Sequence, residues 1–179
     1  GWQDWFIGTT TRSLGVPKVV KELTHTFDYN NPESLQKIFS NNVGKVAAVI
    51  LEPVNFSMPE GDFLETVKKM THDNGAILIF DEICTGFRLG LGGAQQRFNV
   101  IPDLACFGKA MGNGYPIACL AGRKEIMKVC EDIFFSFTYG GEVSSIVAAI
   151  KVIEILKDTN ALELMECNGK KLMEGVNQL

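Results

Sequence analysis

Two continuous apolar runs, Lys45–Leu51 and Ala76–Phe80, constrain the fold of this chain more than any other feature. Runs of β-branched and aliphatic residues without polar alternation are typical of strands that are covered on both faces. Between them, apolar residues recur at helical spacing within Asp62–Asn74, which predicts an amphipathic helix. The alternation predicts a three-layer α/β/α fold with a mostly parallel sheet.

The rest of the chain continues this alternation. Further strands are predicted at Glu22–Asp28, Asp103–Phe107 and Tyr115–Ala121, and further helices at Pro32–Asn42, Glu142–Lys157 and Leu162–Leu179. Asn31 before Pro32 is a typical helix start. The helix at Glu142–Lys157 has apolar residues on nearly every side, so we expect it to be well buried. One continuous core is the simplest organisation for 179 residues.

Composition excludes several classes of function. Hydrophobic residues make up 46% and charged residues 21%, and the net charge of −4 gives no basic surface for nucleic acid or an anionic membrane. No apolar stretch is long enough to span a bilayer. The five cysteines are scattered without C-x-x-C spacing, and the two histidines are isolated, so we expect reduced thiols, no metal site and a cytoplasmic location.

Charged residues stand where three of the predicted strands end. Glu52 follows the first apolar run, Asp81 follows the second, and Lys109 follows the strand at Asp103–Phe107 within a glycine-rich turn. Ligands of open α/β sheets bind at the carboxyl ends of strands. A lysine and an acid there suit pyridoxal 5'-phosphate, because the amine can form a Schiff base and the acid can keep the pyridine nitrogen protonated.

Each of these residues also has a plain structural interpretation. Lys109 is then a solvated surface lysine, Asp81 a helix N-cap, and Glu82 a structural hydrogen-bonding group; Glu52 suits either a supporting or a structural role. A catalytic lysine must lose its proton, and we expect burial beside another cation to achieve that. Asp103 and Ala110 exclude a phosphate-binding P-loop, since that motif needs Gly and Ser or Thr at those positions.

At these residues the chain resembles the class III (fold type I) pyridoxal-phosphate aminotransferases, in particular the glutamate-1-semialdehyde aminomutase branch. The matching segments are Gly1–Trp5, Ala47–Val54, Gly75–Arg88, Gly92–Ala94, Pro102–Pro116, Gly122–Met127 and Thr138–Gly141. They follow one another in a single order through most of the chain, so the resemblance does not depend on a single motif.

The resemblance implies a role for three residues. Lys109 carries the cofactor as a Schiff base, Asp81 pairs with the pyridine nitrogen, and Thr138 binds the cofactor phosphate of the neighbouring subunit, which implies a homodimer. On the residues alone, the turn that contains Thr138 is equally a phosphate site or a plain capping turn. The resemblance also implies that residues 1–179 are the central part of a large domain, without its N-terminal segment and C-terminal small domain.

Departures from the family pattern narrow the branch without deciding the reaction. Cys84, where many members have Gln, is similar to the aminomutase branch, and Asn55–Met58 lacks the Gly-Glu of many ω-aminotransferases. Residues 139–142 after Thr138 resemble aminomutase-like enzymes of surface-polysaccharide or sugar pathways. The expected activity is therefore amino-group transfer by an aminotransferase or an aminomutase, on a small amino acid, amino-aldehyde or amino/keto-sugar. The alternatives are a non-catalytic or truncated domain acting as a scaffold, and an aldolase-like lysine enzyme without cofactor.

Overall fold

The computed structural model describes residues 3–134 and 136–178. Four strands form one sheet in the order β1-β2-β3-β4: β1 (Ala48–Leu51), β2 (Ile77–Asp81), β3 (Leu104–Phe107) and β4 (Cys119–Gly122). The first three strands are parallel, and β4 pairs antiparallel with β3. The prediction of a mostly parallel α/β sheet is confirmed.

Eight α-helices accompany the sheet within the described residues. They are α1 (Asp4–Ile7), α2 (Lys18–Glu22), α3 (Pro32–Asn41), α4 (Phe63–Asp73), α5 (Gly93–Arg97), α6 (Lys124–Met127), α7 (Val143–Asp158) and α8 (Ala161–Asn177). Short 3-10 turns cover Lys109–Met111 and Lys128–Glu131. None of the described helices has the length and apolar character needed to cross a membrane.

The core lies between the sheet and helices α3 and α4. Leu78 and Phe80 of β2 are completely buried against Val67 of α4, and Leu35 and Phe39 of α3 complete the layer. Helix α3 begins as the sequence predicts, because the Asn31 side chain accepts a hydrogen bond from the Ser34 N–H. This packing fixes the ends of β1 and β2, and with them the positions of the acids that follow.

Two predictions about secondary structure and burial are wrong. The strand predicted at Glu22–Asp28 is absent: α2 ends at Glu22, and the segment after it has no place in the strand order of the sheet. A strand needs a hydrogen-bonded neighbour, which local sequence does not reveal. Helix α7 forms at the predicted position but is not well buried, since only Ser145 and Ala149 of the helix are buried.

Two other predictions need smaller adjustments. The strand expected at Tyr115–Ala121 is β4, which begins only at Cys119, because the residues before it form the turn that follows Lys109. The helix predicted at Leu162–Leu179 is α8, and its last predicted residue, Leu179, lies outside the described residues, as do Gly1 and Trp2 of the first matching segment.

Candidate active site

The acids Glu52 and Asp81 lie side by side at the carboxyl edge of the parallel strands. Leu51 of β1 is in register with Phe80 of β2, so Glu52 follows β1 next to Asp81, the last residue of β2. Asp81 is in register with Cys106 of β3, and the chain reaches Lys109 three residues later. The sheet therefore brings Glu52, Asp81 and Lys109 to one edge, as parallel pairing predicts.

Lys109 has an unusual backbone conformation. Its φ angle is +39°, in the left-handed region that non-glycine residues rarely adopt, and it opens a 3-10 turn that ends at Met111. Such a conformation costs on the order of 1–3 kcal/mol and is found preferentially at functional sites. The turn directs an exposed side chain whose Nζ donates a hydrogen bond to Sγ of Cys84 at 2.7 Å.

The surroundings of Lys109 favour its protonated form. The hydrogen bond to Cys84 is the main cause that raises the pKa of Lys109, and the charges of Asp81 and Glu52 raise it further. The expectation of burial beside another cation is wrong, because Lys109 is exposed and its charged neighbours are acids. A cation would lower the pKa, whereas nearby anions stabilise the ammonium.

Glu52 is electrostatically coupled to both other charged groups. Partial burial raises the pKa of Glu52, the neighbouring Asp81 charge raises it further, and Lys109 lowers it. Two carboxylates that share one edge repel each other, so a cation placed between them is stabilised. This arrangement holds an amine near two acids, one of which is fixed by the backbone: Oδ1 of Asp81 accepts the N–H of Ile83 at 3.0 Å.

Glu82 has the structural role that its sequence position suggests. Its side chain is completely buried, and its carboxylate accepts hydrogen bonds from the Thr85 hydroxyl at 2.6 Å and from the backbone N–H groups of Ala94 and Gln95 at 2.7 and 2.9 Å. These bonds hold the start of α5 against the turn that contains Cys84. Glu82 thus points into the protein, while Asp81 before it lies at the edge.

Thr138 lies in an exposed turn that precedes α7. Glu142 caps α7 by accepting the N–H groups of Ser144 and Ser145 at 2.9 and 2.7 Å, which lowers the pKa of its carboxyl to about 2. Phe135, at the start of this segment, lies outside the described residues. The binding of a neighbouring subunit's cofactor phosphate by Thr138 stays a prediction.

The glycines on either side of Lys109 differ in whether contacts within the chain require them. A Cβ on Gly112 would lie 2.5 Å from Ile117 Cγ2 and 2.7 Å from the Tyr115 carbonyl oxygen, so a larger residue is excluded by the turn. A Cβ on Gly108 would make only ordinary contacts, at 3.7 Å or more. Gly112 is therefore needed for the local fold, whereas contacts within the chain do not require a glycine at position 108.

Cys84 is the residue at this edge that sequence reasoning missed. The sequence marks it only as a departure from a family pattern, yet its sulfur is the hydrogen-bond acceptor for Lys109. The signal that could have found it is its position, three residues after the acid that ends β2. Within the described ranges, no group of three or more His, Cys, Asp and Glu side chains is placed to hold a metal ion.

The family profile described as aminotransferase class-III matches residues 8–179. The chain belongs to this family. It is 41% identical over 178 residues to the 3-aminobutyryl-CoA aminotransferase of Cloacimonas acidaminovorans (strain Evry), a match that covers 96% of this chain and 42% of the relative. The predicted family is confirmed, while its glutamate-1-semialdehyde aminomutase branch stays a prediction.

Solved structures support the same assignment for this class-III aminotransferase chain. The PLP internal aldimine form of the FumI protein of Sphingopyxis sp. MTA144 superimposes with a TM-score of 0.91 at 28% identity, over 99% of this chain and 44% of FumI. The Toxoplasma gondii ornithine aminotransferase superimposes with a TM-score of 0.69 at 28% identity, over 75% of this chain and 32% of that enzyme. The chain thus spans less than half the length of these relatives, and its fold is that of their type I PLP-dependent transferase domain.

Proposed function

We propose that the protein carrying this chain transfers amino groups with pyridoxal 5'-phosphate, and that Lys109 is the residue to which the cofactor aldehyde attaches. The observation that carries this proposal is the position of Lys109 beside Asp81 and Glu52 at the carboxyl edge of the sheet. Family membership supports the cofactor, and both structural relatives described above contain PLP. Residues 1–179 would then form the central part of the large domain.

The residues at this edge fit the chemistry of that cofactor. The Lys109 amine can form a Schiff base with the cofactor aldehyde. The Asp81 carboxylate can pair with the protonated pyridine nitrogen. The Thr138 hydroxyl is suited to donate a hydrogen bond to a phosphate oxygen. In a homodimer this would be the cofactor phosphate bound by the neighbouring subunit. When bound, pyridoxal phosphate supplies an electron sink for the electrons left behind when a substrate C–H proton departs.

The amino acids of this chain would perform the proton transfers. Nζ of Lys109 would accept the proton from the substrate carbon and return it at the neighbouring position. Nζ must be neutral to do so, yet the hydrogen bond to Cys84 and the charges of Asp81 and Glu52 raise the pKa of Lys109. Pairing of Asp81 with a cationic pyridine ring would offset one of these charges and lower the pKa of Lys109.

We propose that the substrate is a compound that carries an amine. Which compound it is has to be tested with candidate amine donors. One relative is named for action on 3-aminobutyryl-CoA. That thioester, glutamate-1-semialdehyde and an amino sugar should be compared as amine donors. Appearance of a new amino acid from an added keto acid indicates an aminotransferase, whereas an amine that moves within the same molecule indicates an aminomutase.

The decisive experiment maps the attachment site. The protein is incubated with pyridoxal phosphate, reduced with borohydride and digested, and the labelled peptide is identified by mass spectrometry. We expect the label on Lys109, no label in Lys109→Arg, and normal labelling in Lys124→Arg, which changes another exposed lysine. A label on a different lysine contradicts the assignment. A folded protein that takes up no cofactor supports the non-catalytic scaffold.

A further inference from the structure

The contact between Lys109 and Cys84 joins two nucleophiles on the protein surface. The two residues are 25 positions apart in sequence, and the turns after β2 and β3 bring Nζ and Sγ to 2.7 Å. Both side chains are exposed, so reagents in solution reach them. Amino-group transfer as described above uses Lys109 but assigns nothing to the Cys84 thiol.

Cys84 combines exposure to solvent with a neighbouring amine. Its sulfur can be reached by reagents in solution, and Nζ of Lys109 lies 2.7 Å from it, so an oxidised sulfur would have a nitrogen within bonding reach. All five cysteines of the chain are free. Among the hydrogen bonds of the described residues, Cys84 is the one cysteine whose sulfur accepts from a lysine, which distinguishes it from the exposed Cys119 and Cys167.

We propose that Cys84 is an oxidation site and that Lys109 captures the oxidised sulfur as an intrachain sulfenamide cross-link. In the first step the Cys84 sulfur attacks one oxygen of hydrogen peroxide. The S–O bond forms, the O–O bond breaks, and the hydroxide that leaves takes the proton of the Cys84 thiol to become water, so sulfur is oxidised by two electrons and peroxide is reduced.

The second step needs no further oxidant. The neutral Nζ of Lys109 attacks the sulfur of the sulfenic acid, the N–S bond forms, and the S–O bond breaks. The hydroxyl group leaves as water with a proton from the nitrogen. One thiol, one amine and one peroxide thus give one S–N bond and two waters. Condensation of a sulfenic acid with a nitrogen to a sulfenamide is established cysteine chemistry, and thiols reverse it.

The cross-link has a consequence for the cofactor that rests on the proposed function. The nitrogen consumed by the sulfenamide is the one proposed to attach the cofactor aldehyde, so oxidation closes the site and a thiol reductant reopens it. Cofactor already attached to Lys109 would in turn protect the pair. The formation of the cross-link itself does not depend on cofactor binding.

The test begins with cofactor-free protein treated with hydrogen peroxide, then digested and analysed by mass spectrometry. We expect one product in which the peptides of Cys84 and Lys109 are joined with the loss of two hydrogens, and we expect dithiothreitol to separate them. Cys84→Ser should give no such product, while Cys167→Ser, which changes another exposed cysteine, should behave like the unchanged protein.

A second variant separates the two chemical steps. Lys109→Arg keeps the positive charge but lacks the amine, so oxidation should stop at a sulfenic acid on Cys84 that dimedone traps. A disulfide from Cys84 to another cysteine, oxidation spread evenly over the exposed cysteines, or a stable sulfenic acid beside an intact Lys109 would each overturn the proposal.

A final comparison distinguishes failure here from failure of the proposed function. Peroxide-treated protein should lose borohydride-trapped cofactor at Lys109 and recover it after dithiothreitol, whereas Cys84→Ser should keep the label after peroxide. A cross-link that forms in a protein whose cofactor attaches elsewhere leaves this inference intact and removes the proposed function. Cofactor attached to Lys109 in a protein that never forms the cross-link does the opposite.

Discussion

The buried carboxylate of Glu82 explains why a glycine stands at position 93. Gly93 has a φ of +71°, and a Cβ at this position would lie 2.3 Å from Oε2 of Glu82. The same oxygen accepts the Ala94 N–H, so it cannot move away without losing a buried hydrogen bond. The Glu82 carboxylate therefore joins the turn after Asp81 to the start of α5.

This arrangement predicts opposite effects for two glycine-to-alanine changes. Gly93→Ala should lower the free energy of unfolding by about 2 kcal/mol or more, because it adds backbone strain and displaces Glu82. Gly169→Ala, within α8 where an added Cβ has nothing within 4 Å, should raise it by up to about 1 kcal/mol. Urea unfolding measures both, and similar effects of the two changes would contradict the role of Glu82.

The acids beside Lys109 predict the pH dependence of cofactor attachment. The pKa of Lys109 is raised by Cys84, Asp81 and Glu52, so the neutral amine becomes more abundant as the pH rises through the alkaline range. The attachment rate should rise with pH accordingly. Glu52→Gln removes one of these charges, lowers the pKa of Lys109, and should shift the rate profile to lower pH.

Stopped-flow absorbance with pyridoxal phosphate at a series of pH values measures this shift. Glu60→Gln, which changes an exposed acid in the loop after Glu52, is the matched control and should leave the profile unchanged. An unchanged profile for Glu52→Gln would show that this carboxylate does not influence the lysine.

At the scale of elements, the buried carboxylate of Asp103 connects α4, β2 and the residue that follows β4. Its oxygens accept the Leu78 N–H at 2.7 Å and Arg123 Nη1 at 3.0 Å, and pair with His72 Nε2 at 2.8 Å. Burial alone would raise the pKa of Asp103, but these hydrogen bonds outweigh it and leave the pKa below its usual value. His72 is isolated in the sequence, and only the packing of α4 against the sheet reveals its partner.

The start of α7 gives a prediction with a defined pH window. The Glu142 cap has a pKa of about 2, below its ordinary value of 4.5, so its contribution to stability is complete above pH 4.5 and is lost as the pH falls toward 2. Glu142→Ala should lower the Tm at pH 7 by about 2–4 °C. The difference should vanish near pH 2.

Thermal unfolding followed by circular dichroism measures both values. Glu154→Ala changes an exposed acid within the same helix that caps nothing, and it should have a smaller effect at pH 7. A Glu142→Ala difference that persists at pH 2 would show that the carboxylate does not act through its charge.

At the scale of the whole molecule, α7 presents an apolar stripe to solvent. Val143, Val147 and Ile150 recur at helical spacing and are exposed by 70%, 58% and 53%. Exposed apolar surface at helical spacing is typical of a surface that another polypeptide segment covers. The turn with Thr138 directly precedes the helix, so in the homodimer of the proposed function we expect this stripe to lie at the interface.

This proposal predicts that one charge on the stripe weakens association. Val147→Asp should shift the protein that carries this chain from dimer to monomer in sedimentation velocity, because burying an unpaired carboxylate is unfavourable. Lys157→Glu, an exposed charge change near the end of α7, should leave the dimer intact. A Val147→Asp protein that loses its fold instead would indicate that another part of the same polypeptide covers the stripe.

The sequence by itself determined the main strands, the longer helices and the residues at the ends of the parallel strands, but it also predicted a strand at Glu22–Asp28 that is absent. Periodicity, the Asn31 cap and the acids after apolar runs are local properties, so β1, β2, α3 and α4 were predictable. The same local pattern, together with a family resemblance, indicated Lys109 and Asp81 as candidate site residues.

Only the tertiary structure decided which side chains contact one another. The hydrogen bond from Lys109 to Cys84, the partners of Asp103 and the exposure of α7 depend on strand register and on which faces pack together. These contacts join residues that are far apart in sequence, and the periodicity within a single element does not encode them. For the same reason, the sequence indicated the lysine at this edge of the sheet but not the acidic surroundings that raise its pKa.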